Sequence, residues 1–307
     1  MNKILIIAGG GTKHLEPFLD EANKLGVELT IASFSDLEYL IKEGNFKLTV
    51  KGVDCARYNL VYIRLVGKRY EDVSLLASFA KKYAVKLVDS IYEKSQFIRL
   101  PLAKSLEAKL LLEAGLPVPN TLFARLDQIK EKAAKTLGFP FVIKGTLGKQ
   151  GHAVWSPRNE IELNELIERL KDQEKNGGRF LAQEFVRASQ RTRVLVIGGK
   201  ATGAITRPTR WRKRFIEKID GEYPPGKREA LKPLPEEDAR IAVEAAKSLS
   251  IDIAGVDILH EDKTGKFFVL EVNSAPRWES ISKDCGINVE AEIVSFLISR
   301  IGEKREF

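Results

Sequence analysis

Cysteine is nearly missing from this chain. Cys55 and Cys285 stand far apart, with no metal-ligand spacing, and read as free thiols of a reducing cytoplasm. No histidine is tied to either one, so neither is a strong nucleophile candidate, and no Ser/His or Cys/His constellation stands elsewhere. Long apolar runs are missing too. None approaches the ~20 residues that span a bilayer. Ile4–Ala8, behind Met1-Asn2-Lys3, is too short for the apolar part of a secretory signal and reads as a first strand. These absences predict a cytoplasmic protein without a membrane partner. No internal repeat or low-complexity tract is present.

The chain has 307 residues, 44% hydrophobic and 30% charged, enough for two or three packed units. The net charge of +8 favours anionic partners such as nucleotide, acidic peptide or nucleic acid. A soluble, lysine-rich surface gives the same number.

Strand and helix patterns alternate over residues 1–95. Lys3–Ala8, Val27–Ala32, Leu60–Leu65 and Val85–Val88 read as strands, His14–Leu25 and Tyr70–Tyr83 as helices. Such alternation predicts a parallel sheet. The Gly9-Gly10-Gly11 turn lacks the third glycine of a dinucleotide fingerprint, since His14 stands there, so close backbone approach explains it better. Lys104–Gly115 reads as a helix stopped by glycine, before Leu116-Pro117-Val118-Pro119. Phe139–Gly145 reads as a strand ending in Lys144. Its glycine-rich continuation, Gly145–Gly151, suits backbone binding of phosphates but is not a Walker A loop, because Gln150 follows Lys149. An ordinary hairpin is the alternative. Phe180–Val186 reads as a strand, Arg193–Ile197 and Ala201–Arg207 as a hairpin. Pro208–Lys232 reads as a long irregular loop with Arg210-Trp211-Arg212-Lys213-Arg214. Helices follow at Glu236–Leu249 and after Asn288.

The segment Gly255–Trp278 carries the densest signal. Gly255–His260 and Lys266–Val272 are apolar runs about a turn with Gly265, a hairpin pattern. Strand alternation places Val269, Glu271 and Asn273 on one face. Pairing His260 with Lys266 puts Asp257 opposite Val269 and diagonal to Glu271, roughly 7–8 Å away. Buried acids need a partner. A Lys or Arg of a neighbouring strand would serve. So would Mg²⁺, which takes carboxylate and phosphate oxygens.

Taken in order, Lys104 before L-P-V-P, Lys144 before the glycine loop, Q-E-F-V, T-R-V-L-V-I-G-G-K, A-I-T-R, V-D-I-L and E-V-N-S-A-P resemble the ATP-grasp superfamily, and within it the RimK-like amino-acid ligases. The resemblance covers almost the whole chain and is densest over 236–281. It implies an α/β chain (α+β in the ATP-binding part) with the ATP-grasp fold and a Rossmann-like pre-ATP-grasp domain at 1–98. A central subdomain is expected at 99–186 and a C-terminal one at 187–307. It implies a C–N bond-forming ligase that binds ATP and Mg²⁺, two ions, with Mn²⁺ able to substitute. Lys104 and Lys144 match the phosphate-binding lysines, and Gly148, Gln150 and Gly151 the covering loop. Gln183, Glu184, Phe185 and Val186 match the adenine hinge, and Asp257, Glu271 and Asn273 the metal ligands. Arg193 and Arg207, with Lys144, match the catalytic cations near the phosphoryl group or the substrate carboxylate. The implied reaction attacks the γ-phosphate with a carboxylate and resolves the acyl phosphate with an amine. The amine is an amino acid such as glutamate, and the acceptor is a peptide, a protein tail or a small acid. Like charges 4 Å apart repel by about 4 kcal/mol at an effective dielectric near 20, so the cations make this approach feasible.

Four positions depart from the family pattern. Arg191 stands where an aspartate thought to hold the ribose is common, and Ala153 where the phosphate loop often has glycine. Arg214 replaces a polar amide, and Arg277 a glycine. The added cations suggest that Arg212, Arg214 and Arg277 bind an acidic substrate. A solvated basic loop is the alternative. Tyr62 and Arg64 are further candidates for the acceptor. Two other functions remain open: a nucleotide-binding pseudo-ligase without turnover, which Arg191 favours, and a nucleic-acid binder using the basic run, which ranks last. Homo-oligomer formation is open.

Overall fold

A computed structural model describes residues 1–95, 100–147, 153–209 and 228–303. Strand β1 (Lys3–Ala8) is apolar on both faces, as a central parallel strand must be. It pairs in parallel with β2 (Glu28–Ser33) and β6 (Leu60–Leu65), and β7 (Lys86–Val88) completes the order β2-β1-β6-β7. Helices α1 (Pro17–Lys24) and α2 (Tyr70–Lys82) make the crossovers. At Gly9 a β-carbon would lie 2.3 Å from the Val66 carbonyl oxygen, so the close approach is to the chain's own backbone. Between β2 and β6 runs an antiparallel meander that the sequence pattern does not disclose: β3 (Leu37–Lys42), β4 (Asn45–Val50) and β5 (Val53–Asp54). Leu40 and Ile41 there are both exposed, which blurs the alternation.

After α3 (Ile91–Lys94) and α4 (Lys104–Glu113) comes an antiparallel sheet ordered β10-β9-β11-β8. Its strands are β8 (Thr121–Ala124), β9 (Phe141–Gly145), β10 (Val154–Trp155) and β11 (Phe180–Glu184). Helices α5 (Leu126–Leu137) and α6 (Glu160–Lys175) cover one face, where Phe141, Ile143, Phe180 and Ala182 meet Ile129, Leu163 and Ile167. Alternation therefore turns Val142, Lys144, Leu181 and Gln183 to the other face.

The third large sheet is ordered β14-β13-β12-β15-β16. It comprises β12 (Gln190–Ile197), β13 (Lys200–Pro208), β14 (Glu229–Ala230), β15 (Ile253–His260) and β16 (Phe267–Asn273). Helix α7 (Glu236–Ser248) packs Ile241, Ala242 and Ala245 against Val194, Val256 and Val272. On the opposite face Leu195, Ile197 and Ile253 share a core with β1, β6 and the helix α9 (Val289–Gly302), which follows α8 (Glu279–Cys285). The first and third sheets thus share their cores, while the middle sheet has its own. Along β12 the α9-facing positions change from apolar Leu195 and Ile197 to Arg193 and Arg191. The site lies where that core gives way to charge.

The β15–β16 register differs from the expected one. His260 faces Phe267, and a bulge beside the Asp257/Ile258 pairing leaves Leu270 as an extra residue. Asp257 is therefore directly opposite Glu271, not diagonal to it. Val269 turns with Val272 into the α7 core rather than sharing a face with Glu271 and Asn273. An inserted residue shifts every alternation count beyond it, which is why the sequence argument misplaced Val269.

Candidate active site

Cross-strand pairing sets Arg193, Asp257 and Glu271 side by side on β12, β15 and β16. Asp257 is 0% exposed. Arg193 Nε donates to its Oδ1 and Arg193 Nη2 to its Oδ2, each at 2.6 Å. Arg191 Nη1 lies 3.1 Å from Oδ2, and Arg193 Nη2 3.8 Å from Glu271 Oε1. Asn273 Nδ2 donates to Glu271 Oε1 at 3.0 Å. The expected acids and amide therefore converge, and the cations of a neighbouring strand pair with them. Burial works against the charge of Arg193, but its bonds to Asp257 outweigh that and its pKa lies above the ordinary value. Arg207 stands opposite Arg191. Burial, then Arg193 and Arg191, push its pKa down. The Nε atoms of Arg191 and Arg207 are buried without a partner.

Lys144 is buried on the site-facing side of β9 and donates through Nζ to Gln183 Oε1 at 2.5 Å. Gln183 Nε2 donates to Thr121 Oγ1 at 2.9 Å. Burial pushes the Lys144 ammonium down to about 8, against the pull of Glu271. The backbone N–H of Lys104 donates to the Thr146 carbonyl at 3.1 Å, tying the start of α4 to the entry of the glycine loop. Glu184, the last residue of β11, holds Asn120 through both its side chain and its N–H. A cleft of about 410 Å³ is lined by Lys144, Gln183, Glu184, Phe185, Val186 and Leu270. A second, of about 330 Å³, shares Lys144, Gln183 and Leu270 with it and adds Lys104 and Glu107.

Sequence reasoning missed Glu107. It is buried one turn after Lys104, and its Oε1 accepts from the Val272 N–H at 2.7 Å, between Glu271 and Asn273. Burial pushes its carboxyl up to about 8, against that hydrogen bond. The i,i+3 spacing from Lys104 puts both on one helix face and is the signal that was available. Arg277 is exposed on the turn beyond Pro276. Tyr62 and Arg64 are buried. Arg64 Nη2 donates to the Pro276 carbonyl at 2.6 Å, and its guanidinium carbon lies 4.4 Å from the centroid of Trp278. Gly148, Gln150, Gly151, Arg212 and Arg214 lie outside the described residues.

Two carboxylates and an amide oxygen are hard donors that suit Mg²⁺. Glu271, partly exposed and close enough to Lys144 to act on its charge, is the accessible member of the set. Lys104 and Lys144 suit the phosphates of a nucleotide, and the apolar wall of Phe185, Val186 and Leu270 suits its base.

Comparison with known proteins gives the fold and the family. A solved structure of the ATP-grasp ligase PsnB, complexed with minimal precursor, Mg and ADP, superposes with a TM-score of 0.70 at 18% identity, covering 98% of each chain. The fold is thus that of the ATP-grasp proteins. A model of the RimK-like ATP-grasp domain matches residues 102–297, and the chain belongs to that family. A probable alpha-L-glutamate ligase of Legionella pneumophila (strain Corby) is 33% identical over 197 residues, 62% of this chain and 60% of the relative. Beta-citrylglutamate synthase B of Danio rerio is 27% identical over 191 residues, 60% of this chain and 44% of the relative. The chain thus matches less than two thirds of the length of these curated relatives. ATP and Mg binding are general in the family. Among the described residues no helix is long and apolar enough to cross a membrane.

Proposed function

We propose that this chain is an ATP- and Mg²⁺-dependent carboxylate–amine ligase. The observation that carries the reading is the Arg193–Asp257–Glu271 row set against a cleft lined by Lys144 and Lys104. Nucleotide fills the cleft between the 99–186 and 187–307 segments. The backbone at Glu184–Val186 meets the adenine edge, and Gly148, Gln150 and Gly151 are the proposed contacts of the phosphates. Glu271, Asn273 and Asp257 are the Mg²⁺ ligands. The metal supplies charge neutralisation at the phosphates and can be replaced by Mn²⁺.

The chemistry needs no protein nucleophile. A substrate carboxylate oxygen bonds to the γ-phosphorus and ADP leaves. An amine then bonds to the acyl carbon and phosphate leaves, with loss of one amine proton. Lys144, Arg193 and Arg207 screen the negative charges that must meet, which is mainly a task of positioning. The names of the relatives support glutamate as the amine; the proposed acceptor is a peptide, protein tail or small acid. Arg212, Arg214 and Arg277 are the proposed acidic-substrate contacts. Arg277→Ala raises the KM of the acidic substrate several-fold if this assignment holds, and leaves it unchanged if Arg277 is merely exposed. The protein works in the cytoplasm.

A pseudo-ligase is the second reading, favoured by the arginines that occupy Asp257. ADP release with Mg-ATP and pools of amino acids and acidic peptides separates the two. Nucleotide binding without release across all pools would support the pseudo-ligase.

A further inference from the structure

Arg191 stands at a departure from the family pattern, and its contact with Asp257 gives that departure a consequence. Asp257 is fully buried, and three guanidinium N–H groups lie on its two oxygens, two from Arg193 at 2.6 Å and one from Arg191 at 3.1 Å. Arg207 stands across from Arg191 on the next strand. Three cations thus share this corner with two carboxylates, Asp257 and Glu271. A divalent ion on Asp257 must displace Arg191 and then sit beside its displaced charge and those of Arg193 and Arg207. Such crowding is strongly repulsive away from bulk water. Glu271 differs: its side chain is 36% exposed, Arg193 Nη2 lies 3.8 Å from its Oε1, and the Asn273 amide stands beside it, with Nδ2 donating to Oε1 at 3.0 Å.

We infer that Arg191 takes the place of one divalent cation at Asp257. The nucleotide complex of this chain then holds a single divalent ion, on Glu271 and Asn273, rather than the two that the family resemblance implies. The inference rests on the reading of the site given above and alters it in one respect: Asp257, held by Arg191 and Arg193, drops out of the proposed Mg²⁺ ligand set. Arg191 is a built-in counter-ion that is always present, whereas a metal's occupancy is set by its concentration.

The test counts Mn²⁺ by electron paramagnetic resonance on the full chain, saturated with a non-hydrolysable ATP analogue. The native complex is expected to hold one Mn²⁺ per bound nucleotide. Arg191→Ala, and the less disruptive Arg191→Gln, are expected to hold two, while Arg191→Lys stays at one. Circular dichroism identifies a variant that fails to fold, in which case the other neutral variant decides. Two ions on the native complex would overturn the inference and leave the site reading intact. A count of one in a folded neutral variant would do the same. No Mn²⁺ beyond that held by free nucleotide would overturn both.

Discussion

Glu107 shows how a single side chain links the two halves of the site. It lies on the helix that begins at Lys104 and accepts a hydrogen bond from the strand that carries Glu271 and Asn273. Glu107→Gln keeps an acceptor oxygen, whereas Glu107→Ala leaves the Val272 N–H unsatisfied, at a cost of about 1–3 kcal/mol. The expected outcome is a several-fold weaker Mn²⁺ affinity in the alanine variant and near-native affinity in the glutamine variant, measured by calorimetry with nucleotide present. The raised pKa gives a second test. The folded value of about 8 exceeds the ordinary 4.5, so the native state holds a proton that the unfolded chain has lost. This contribution is fully present below about pH 4.5 and fades as pH rises through about 8. Native protein should therefore lose stability relative to Glu107→Gln between about pH 5 and about pH 8, by on the order of a few kcal/mol. Urea denaturation of both across that window checks it, and parallel curves would contradict the assignment. Lys144 acts with the opposite sign. Its folded value near 8 lies below the ordinary 10.5, so its contribution is present above 10.5 and lost as pH falls through about 8.

At the scale of elements, the hairpin of β15 and β16 sets the site, and glycines determine how closely its supports approach. A β-carbon on Gly255 would meet Pro276 Cβ at 2.8 Å, in the turn that follows Asn273. Gly255→Ala should displace that turn and weaken Mn²⁺ binding, with a modest fall in melting temperature; unchanged affinity would show that the turn is free to yield. Gly198 is different in kind. Its φ is +56°, and an added methyl would enter the Phe296 ring at 2.3 Å. Gly198→Ala should cost about 1–3 kcal/mol by thermal denaturation while leaving nucleotide binding intact, because the turn lies at the far end of β12 from Arg191. The acids were legible in the sequence because charge inside an apolar strand is conspicuous, and Lys144 because it ends a strand before glycines. The bulge at Leu270 was not legible, since an extra residue looks like any other until its partner strand is known. Nor was Arg191's partner: the strand order that lays β12 beside β15 joins residues sixty-odd positions apart. The β3–β5 meander escaped notice because its exposed Leu40 and Ile41 break the alternation that marks a half-buried strand.

For the whole molecule, the shared core of the first and third sheets holds the acidic strands on a fixed base. The middle sheet, with its own core, brings Lys144 and Gln183 to the opposite wall of the cleft. Arg64 fastens the first sheet to the Pro276–Trp278 turn behind Asn273. The net charge of +8 suits a molecule that draws nucleotide and acidic substrate to one place. A nucleic-acid binder would instead lose affinity steeply with added salt, and a salt series distinguishes it. The most direct test of the ligase account is ADP release with Mg-ATP and pools of amino acids and acidic peptides, comparing the native chain with Glu271→Ala. The account predicts release that depends on a carboxylate and an amine together, is lost in Glu271→Ala, and is matched by an amide product in mass spectra of the same tubes. Release that needs no substrate, or that survives Glu271→Ala unchanged, would contradict it.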